Sequence, residues 1–262
     1  MSDRTDPLPA PSDEEGARLF ARYAYAPNRL GYCGPADTRA VLATGATGEV
    51  PDDLRKLARG FSGAWPYLQT LAELTGIEDP LDRRLVESYW IGGGVADTVD
   101  PRTFGEALLA RIAPQAGHYW KHLTPEIVRE AAPNHCFHVF GVYPWTRLLA
   151  SGFVEQPLSV LDNCRIRWAR VLDRTNDELV VENQRLTWED GRLGLSGPRE
   201  ETLAATPESL AFLPDVAKGD RIALHWDWVT APLTNEQAVI LCRTTIAQLD
   251  ATNRRLAREG RR

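Results

Sequence analysis

The chain has 262 residues, is 43% hydrophobic and 25% charged, and carries a net charge of −6 with a pI of about 5.5. That length buries a substantial core and fits one large domain or two small ones. A mildly acidic surface argues against DNA, RNA or an anionic membrane as the main partner, because phosphate recognition needs a basic face. No apolar run approaches the roughly 18 residues that a bilayer span requires.

Taken in order, residues 1–12 are polar and Pro-rich and lack the basic and apolar regions of a secretory signal, so they read as a disordered lead. Residues 13–152 read as a helical domain. Ser12-Asp13-Glu14-Glu15 forms a capping box before Ala17, Leu19, Phe20 and Tyr23. Pro51 opens a segment with Leu54, Leu57 and Ala58 at helical spacing, and Trp65, Leu68, Leu71, Ala72 and Leu74 mark the next face. Leu81, Leu85 and Val86 follow, ended by Ile91-Gly92-Gly93-Gly94. Asp100-Pro101 starts a helix carrying Phe104, Leu108 and Ile112, and Thr124-Pro125-Glu126 starts a short one ending near Pro133.

From about Pro157 the pattern changes to short strands: Val160-Leu161, Ile166 to Val171, Leu179 to Val181, Leu186 to Trp188 and Leu193 to Leu195. Asp190-Gly191 signals a hairpin, and Lys218-Gly219-Asp220 is a turn before a strand from Arg221 to Trp228. Thr234 to Gln237 starts a last helix with Ala238, Ile240, Leu241, Thr245, Ile246 and Leu249. The expected fold is therefore α+β: an N-terminal all-α helical domain, then a small antiparallel β-barrel with a C-terminal helix over 157–252. Residues 253–262 form a basic tail, read as a solvated helix end whose cations suit the dipole.

Cys33, Cys136, Cys164 and Cys242 form no CxxC pair, and without an export signal they read as reduced thiols of a cytoplasmic protein. Cys33 lies between glycines just before a helix start expected at Pro35, where the helix dipole would favour its thiolate. Four of the five histidines fall between 118 and 138. His118 and His122 are four apart. His135 and His138 are three apart, so on a helix they share a face and could hold one metal, whereas on a strand they point to opposite faces. Trp145 and Trp226, together with His118, are candidates to line a pocket or a partner interface.

The motif Cys164-Arg165-Ile166-Arg167-Trp168-Ala169-Arg170-Val171 resembles the opening of the HypC/HupF family of hydrogenase-maturation chaperones. Val216 to His225, with its Gly219-Asp220 turn, is similar to that family's second motif, and Leu233 to Ala238 resembles the start of its terminal helix. Two flanks depart from the family: Trp168-Ala169 replaces a Pro-Gly, and Trp226-Asp227-Trp228 replaces a Gly-Phe. The resemblance implies an accessory factor for [NiFe] hydrogenase assembly that binds an iron fragment or a hydrogenase subunit through Cys164 and His225. It implies a hydrogenase large subunit or maturation proteins as partners. A soft thiolate beside an imidazole suits Fe(II), and the imidazole can lower the thiol pKa. The helical half is similar to an uncharacterised bacterial family associated with hydrogenase gene neighbourhoods. The competing reading is an enzyme dependent on a metal or haem, with a pocket of Cys33, His118, His135 and His138, in which Cys33 and His138 are catalytic. The expected metal ligands are Cys164, His225, His135 and His138.

Overall fold

A computed structural model describes residues 13–36, 38–51, 54–113 and 125–260. Among the described residues the elements as far as Cys164 are helical: α1 (Asp13–Arg29), α2 (Arg39–Thr47), α3 (Leu54–Arg59), α4 (Trp65–Thr75), α5 (Arg83–Ile91) and α6 (Pro101–Ile112). A 3-10 turn spans Pro125–Glu130. The three-residue α7 (His135–Phe137) then runs into a π-helical turn, His138–Val142, followed by α8 (Trp145–Ala150) and α9 (Glu155–Cys164). The expected capping residue Ser12 lies outside the described residues.

Local chemistry sets several of these boundaries. Asp82 accepts from the Arg84 amide at 2.8 Å and starts α5. Asp100 does the same for α6 through the Thr103 amide, with Pro101 in the first turn. Gly92, Gly93 and Gly94 take φ of 91°, 71° and 58° and stop α5. A Cβ at Gly16 would lie 1.8 Å from the Leu81 carbonyl oxygen, so the crossing of α1 over the start of α5 requires glycine.

The strands are β1 (Arg167–Arg174), β2 (Glu178–Asn183), β3 (Leu186–Glu189), β4 (Arg192–Leu195), β5 (Arg199–Ala204), β6 (Arg221–His225) and β7 (Trp228–Pro232), and α10 (Asn235–Glu259) closes the chain. All pairings are antiparallel. One sheet has the order β5-β2-β1-β6-β7, and β3-β4 is a separate hairpin turned at Asp190-Gly191 with φ of 50° and 72°. A full capping box on Thr234 and Gln237 starts α10. Among the described residues no helix is long and apolar enough to cross a membrane.

Several expectations need correction. Val160-Leu161 is not a strand. Pro157, Val160, Leu161 and Cys164 are the buried apolar residues of α9 and recur at helical spacing. The expected single strand from Arg221 to Trp228 is broken by a two-residue turn, so β6 and β7 are separate. β5 went unread because it is a polar edge strand with a single buried residue, Leu203. The sheet stays open, with β5 and β7 at opposite edges instead of paired into a barrel. The basic end is not wholly solvated either: Asn253, Arg255 and Leu256 are buried, and Arg255 pairs with buried Glu130 at 2.8 Å.

The two halves share one core. Phe20, Tyr23, Leu68, Leu85 and Trp90 of the helices cluster with Ile166, Ala223, Trp228, Ala231 and Leu241. Side chains alternate along β6, so Ile222 and Leu224 enter a second cluster with Val171, Leu179 and Val181, while Ala223 faces the helices. His225 falls on the same face as Ala223 and therefore points into the helical core.

Candidate metal centre

That alternation delivers His225 to the N-terminal half. Cys164 is the last residue of α9, and His225 is the last of β6. The Trp226 amide donates to the Asn163 carbonyl at 2.7 Å, which joins the two ends and sets Cys164 beside His225. His135 arrives on α7, whose start is capped by the Asn134 side chain accepting from the Phe137 amide. The ligand atoms of His135, Cys164 and His225 all lie within 4.8 Å of one another, and all three residues are buried.

Each histidine of the trio is locked in one tautomer. His225 Nδ1 lies 2.6 Å from the Tyr23 carbonyl oxygen. A carbonyl only accepts, so Nδ1 carries the proton and Nε2 presents a lone pair. Nε2 has no hydrogen-bond partner among the described residues. His135 Nε2 likewise donates to the Cys164 carbonyl at 2.9 Å, leaving Nδ1 to accept from the Tyr89 hydroxyl at 3.0 Å. In His225 a backbone carbonyl holds the N–H and the other nitrogen is left unpartnered, which is the usual arrangement of a metal-binding histidine.

The walls are aromatic. Trp90 packs on His135 at 4.6 Å and on His225 at 5.6 Å between ring centroids. The His135 and His225 rings meet edge to face at 5.4 Å. Burial pushes the His225 imidazole down to about 4, against the pull of the Tyr23 carbonyl, with nearby Arg167 lowering it further. Burial, then the neighbouring His225 and His138, hold His135 well below the ordinary histidine range. Burial, then Cys33, push the Cys164 thiol up. Without a bound cation the cluster is therefore neutral: two free imidazoles and a protonated thiol. The expectation that imidazole would lower the Cys164 pKa fails, because desolvation outweighs a neighbour that is itself uncharged.

His138 belongs to the surroundings rather than to the trio. The i, i+3 spacing puts its ring 5.9 Å from that of His135, nearly parallel. Tyr143 at 4.5 Å and Tyr67 at 5.5 Å enclose it, its Nδ1 has no partner among the described residues, and burial lowers its pKa to about 4. A Cβ on Gly63 would come within 2.7 Å of His138 Nε2, so that glycine makes room for the ring. The π-helical turn that begins at His138 is a local irregularity of the kind found at functional sites.

Cys33 lies in a loop beside the cluster, half-buried by area. The expected acidification is reversed. Helix α2 starts at Arg39 rather than Pro35, and burial drives the Cys33 thiol up to about 12. Trp226 stacks on Tyr32 at 4.4 Å and takes a left-handed φ of 56°. Its carbonyl accepts from Arg167 at 2.5 Å. Trp145 packs against a third apolar cluster that also contains Cys136, Phe140 and Cys164. His118 and His122 lie outside the described residues.

On the other side of Cys164 and His225 is a charge network that sequence reasoning passed over. Arg165 and Arg167 are fully buried. Arg165 donates to Asp162 and to the Gln184 carbonyl. Arg167 reaches Glu201 at 3.2 Å and Asp227 at 3.1 Å. Arg185 bridges Asp162 and Glu201. Its signal in the sequence was Arg165 and Arg167 flanking an isoleucine beside the cysteine. Tyr89 was also missed; it stands next to Trp90 at the end of α5, just before the glycine run.

The family model for a family of unknown function (DUF6390) matches residues 12–259, and the chain belongs to that family. No curated protein and no solved structure matches it.

Proposed function

We propose that this DUF6390 protein is a metal-handling accessory factor of [NiFe] hydrogenase assembly, with iron as the cargo of His135, Cys164 and His225. The observation that carries the reading is the convergence of those three buried donors within 4.8 Å. The donor set fits a transition metal: two neutral imidazoles and one thiol make a borderline-to-soft site, suited to Fe(II) or Zn(II) and poor for Mg(II) or Ca(II). The orphaned Nε2 of His225 is otherwise a buried acceptor left unsatisfied, which costs about 1–3 kcal/mol. Metal displaces the thiol proton, so binding releases acid and weakens as pH falls. Iron and the hydrogenase partners come from the likeness of the Cys164 and His225 motifs to HypC/HupF. On this reading the open sheet of β1, β2, β5, β6 and β7 is the counterpart of that family's barrel.

Anaerobic titration with Fe(II), followed by metal analysis, tests the site. Stoichiometric iron in the wild type and its loss in Cys164→Ala and His225→Ala are expected; equal uptake by all three overturns the reading. Capture of a hydrogenase large-subunit precursor that fails in Cys164→Ala tests the partner. A metal-dependent enzyme is the second reading, favoured by one feature: three protein donors leave a coordination position for substrate.

A further inference from the structure

We propose that Cys33 supplies the fourth ligand and closes the trio into a charge-neutral Cys2His2 centre. The inference rests on the metal-binding reading above and goes beyond it by assigning the open coordination position.

Placement is the first argument. The loop that carries Cys33 is tethered at its base beside the trio, between two glycines that leave it room to move. The buried Asn28 side chain donates to the carbonyls of Cys33 at 2.9 Å and Pro35 at 2.7 Å. Gly31 and Gly34 bracket it at φ of 77° and 88°, and a Cβ on Gly34 would lie 2.4 Å from the Phe61 ring. Tyr32, the residue before Cys33, stacks on Trp226, the residue after His225. Cys33 itself packs against the core that contains Trp90 and Tyr89. Cys33 is near enough to Cys164 that a thiolate on it would push the Cys164 thiol up, and both cysteines border Tyr89 and Tyr143, which touch His135 and His138. Cys33 stands outside the set of three donors already gathered, so it joins them by an inward shift of this loop when the cation arrives.

Charge is the second argument. A divalent cation on Cys164 alone leaves one uncompensated positive charge in a buried pocket that already feels Arg167. Burying an unpaired charge is costly. A second thiolate cancels that charge, whereas His138, the other nearby donor, does not. The reaction balances without a redox partner: one divalent cation and two thiols give two metal–sulfur bonds and two protons, which pass to solvent.

Cobalt(II), a spectroscopic stand-in for Fe(II) and Zn(II), tests this in the full-length protein under anaerobic conditions. The wild type should show the sulfur-to-cobalt absorption of two thiolates, a four-coordinate d–d spectrum and release of two protons per cobalt. Cys33→Ser and Cys33→Ala, checked for unchanged urea midpoints, should lose about half of that absorption and one of the protons while still binding cobalt through the trio. Unchanged absorption and proton release in both variants overturn the proposal. So does a loss of the four-coordinate spectrum in His138→Gln but not in the Cys33 variants, which would assign the position to His138. A wild type that binds no cobalt overturns the underlying metal reading as well, whereas one that binds through a single thiolate leaves that reading standing and removes only this one.

Discussion

Two buried polar regions meet at the peptide bond between Cys164 and Arg165, and they handle polarity in opposite ways. On one side, buried Asp162, Arg165 and Arg167, partly buried Arg185 and Glu201, and exposed Asp227 form three acids facing three guanidiniums, a balanced set tied by ion pairs. On the other, His135, His138, Cys164 and His225 are held neutral in an aromatic box, with His225 Nε2, His138 Nδ1, Tyr67 Oη and Trp90 Nε1 left without partners among the described residues. The first region spends most of its polar groups on one another, leaving Arg165 Nη1 and Arg167 Nε without partners among the described residues, and fixes the backbone at the ends of α9 and β6. The second withholds them. Buried polar atoms are ordinarily satisfied, so a cluster of exceptions marks a place where a ligand completes the bonding.

The comparison breaks most visibly on the charged side. Asp162 is 7% exposed and meets Arg165, Arg185 and the Leu186 amide. Asp162→Ala strands buried guanidinium charge and should cost about 3–5 kcal/mol in urea unfolding. A midpoint equal to the wild type would show that the network is structurally idle. On the neutral side the expected order is reversed. Cys164→Ala should leave apo stability within about 1 kcal/mol, because little volume is removed, while weakening Fe(II) binding by more than about 100-fold, since a primary ligand matters more than the outer-sphere partners that change affinity 10–100-fold. Competition with a chelator of known affinity would measure it, and a change below tenfold would remove Cys164 from the ligand set.

Acid should separate the regions next. His138 and His225 sit at about 4 in the fold against an ordinary value of 6.5. The unfolded chain therefore takes up protons first, and the contribution of these residues is complete above pH 6.5 and is lost as pH falls from 6.5 toward 4. Each should account for about 2 kcal/mol of lost apo stability at pH 5. Urea midpoints that stay flat between pH 7.5 and pH 5 would contradict the neutral box, and His138→Gln should remove its share of the slope. The smallest expected effect is a gain. Tyr89 competes with metal for His135 Nδ1, so Tyr89→Phe should tighten Fe(II) binding about fivefold, the worth of one hydrogen bond of about 1 kcal/mol. Weaker binding would instead make Tyr89 a support of the ligand.

Much of the helical half was legible because its signals are local. Asp100 and the Gly92–Gly94 break act within a turn of where they stand, and Asp190-Gly191 and the Thr234–Gln237 start behave the same way. The sheet was legible in its buried strands and not at its edge, since β5 buries only Leu203 and offers little alternation to read. For the site, the residue types were readable and the grouping was not. The reading placed Cys164 with His225 from one motif pair and His135 with His138 from another. Helical spacing did bring the two histidines to one side, but the donors that converge are His135, Cys164 and His225.

Sequence alone determined that a helical segment precedes a stranded one, where most of the helices begin, and that thiol and imidazole donors cluster in two stretches. Tertiary structure decided what those stretches make together. Period-two alternation turns His225 toward the helices, the Trp226–Asn163 hydrogen bond brings it to Cys164, and a capped turn at Asn134 delivers His135 from more than twenty residues upstream of the cysteine. Tertiary structure also decided the charge states. A helix dipole read from a nearby proline suggested an acidic Cys33, but burial in the shared core reversed it. Desolvation depends on everything packed around a group, and local spacing carries no record of that.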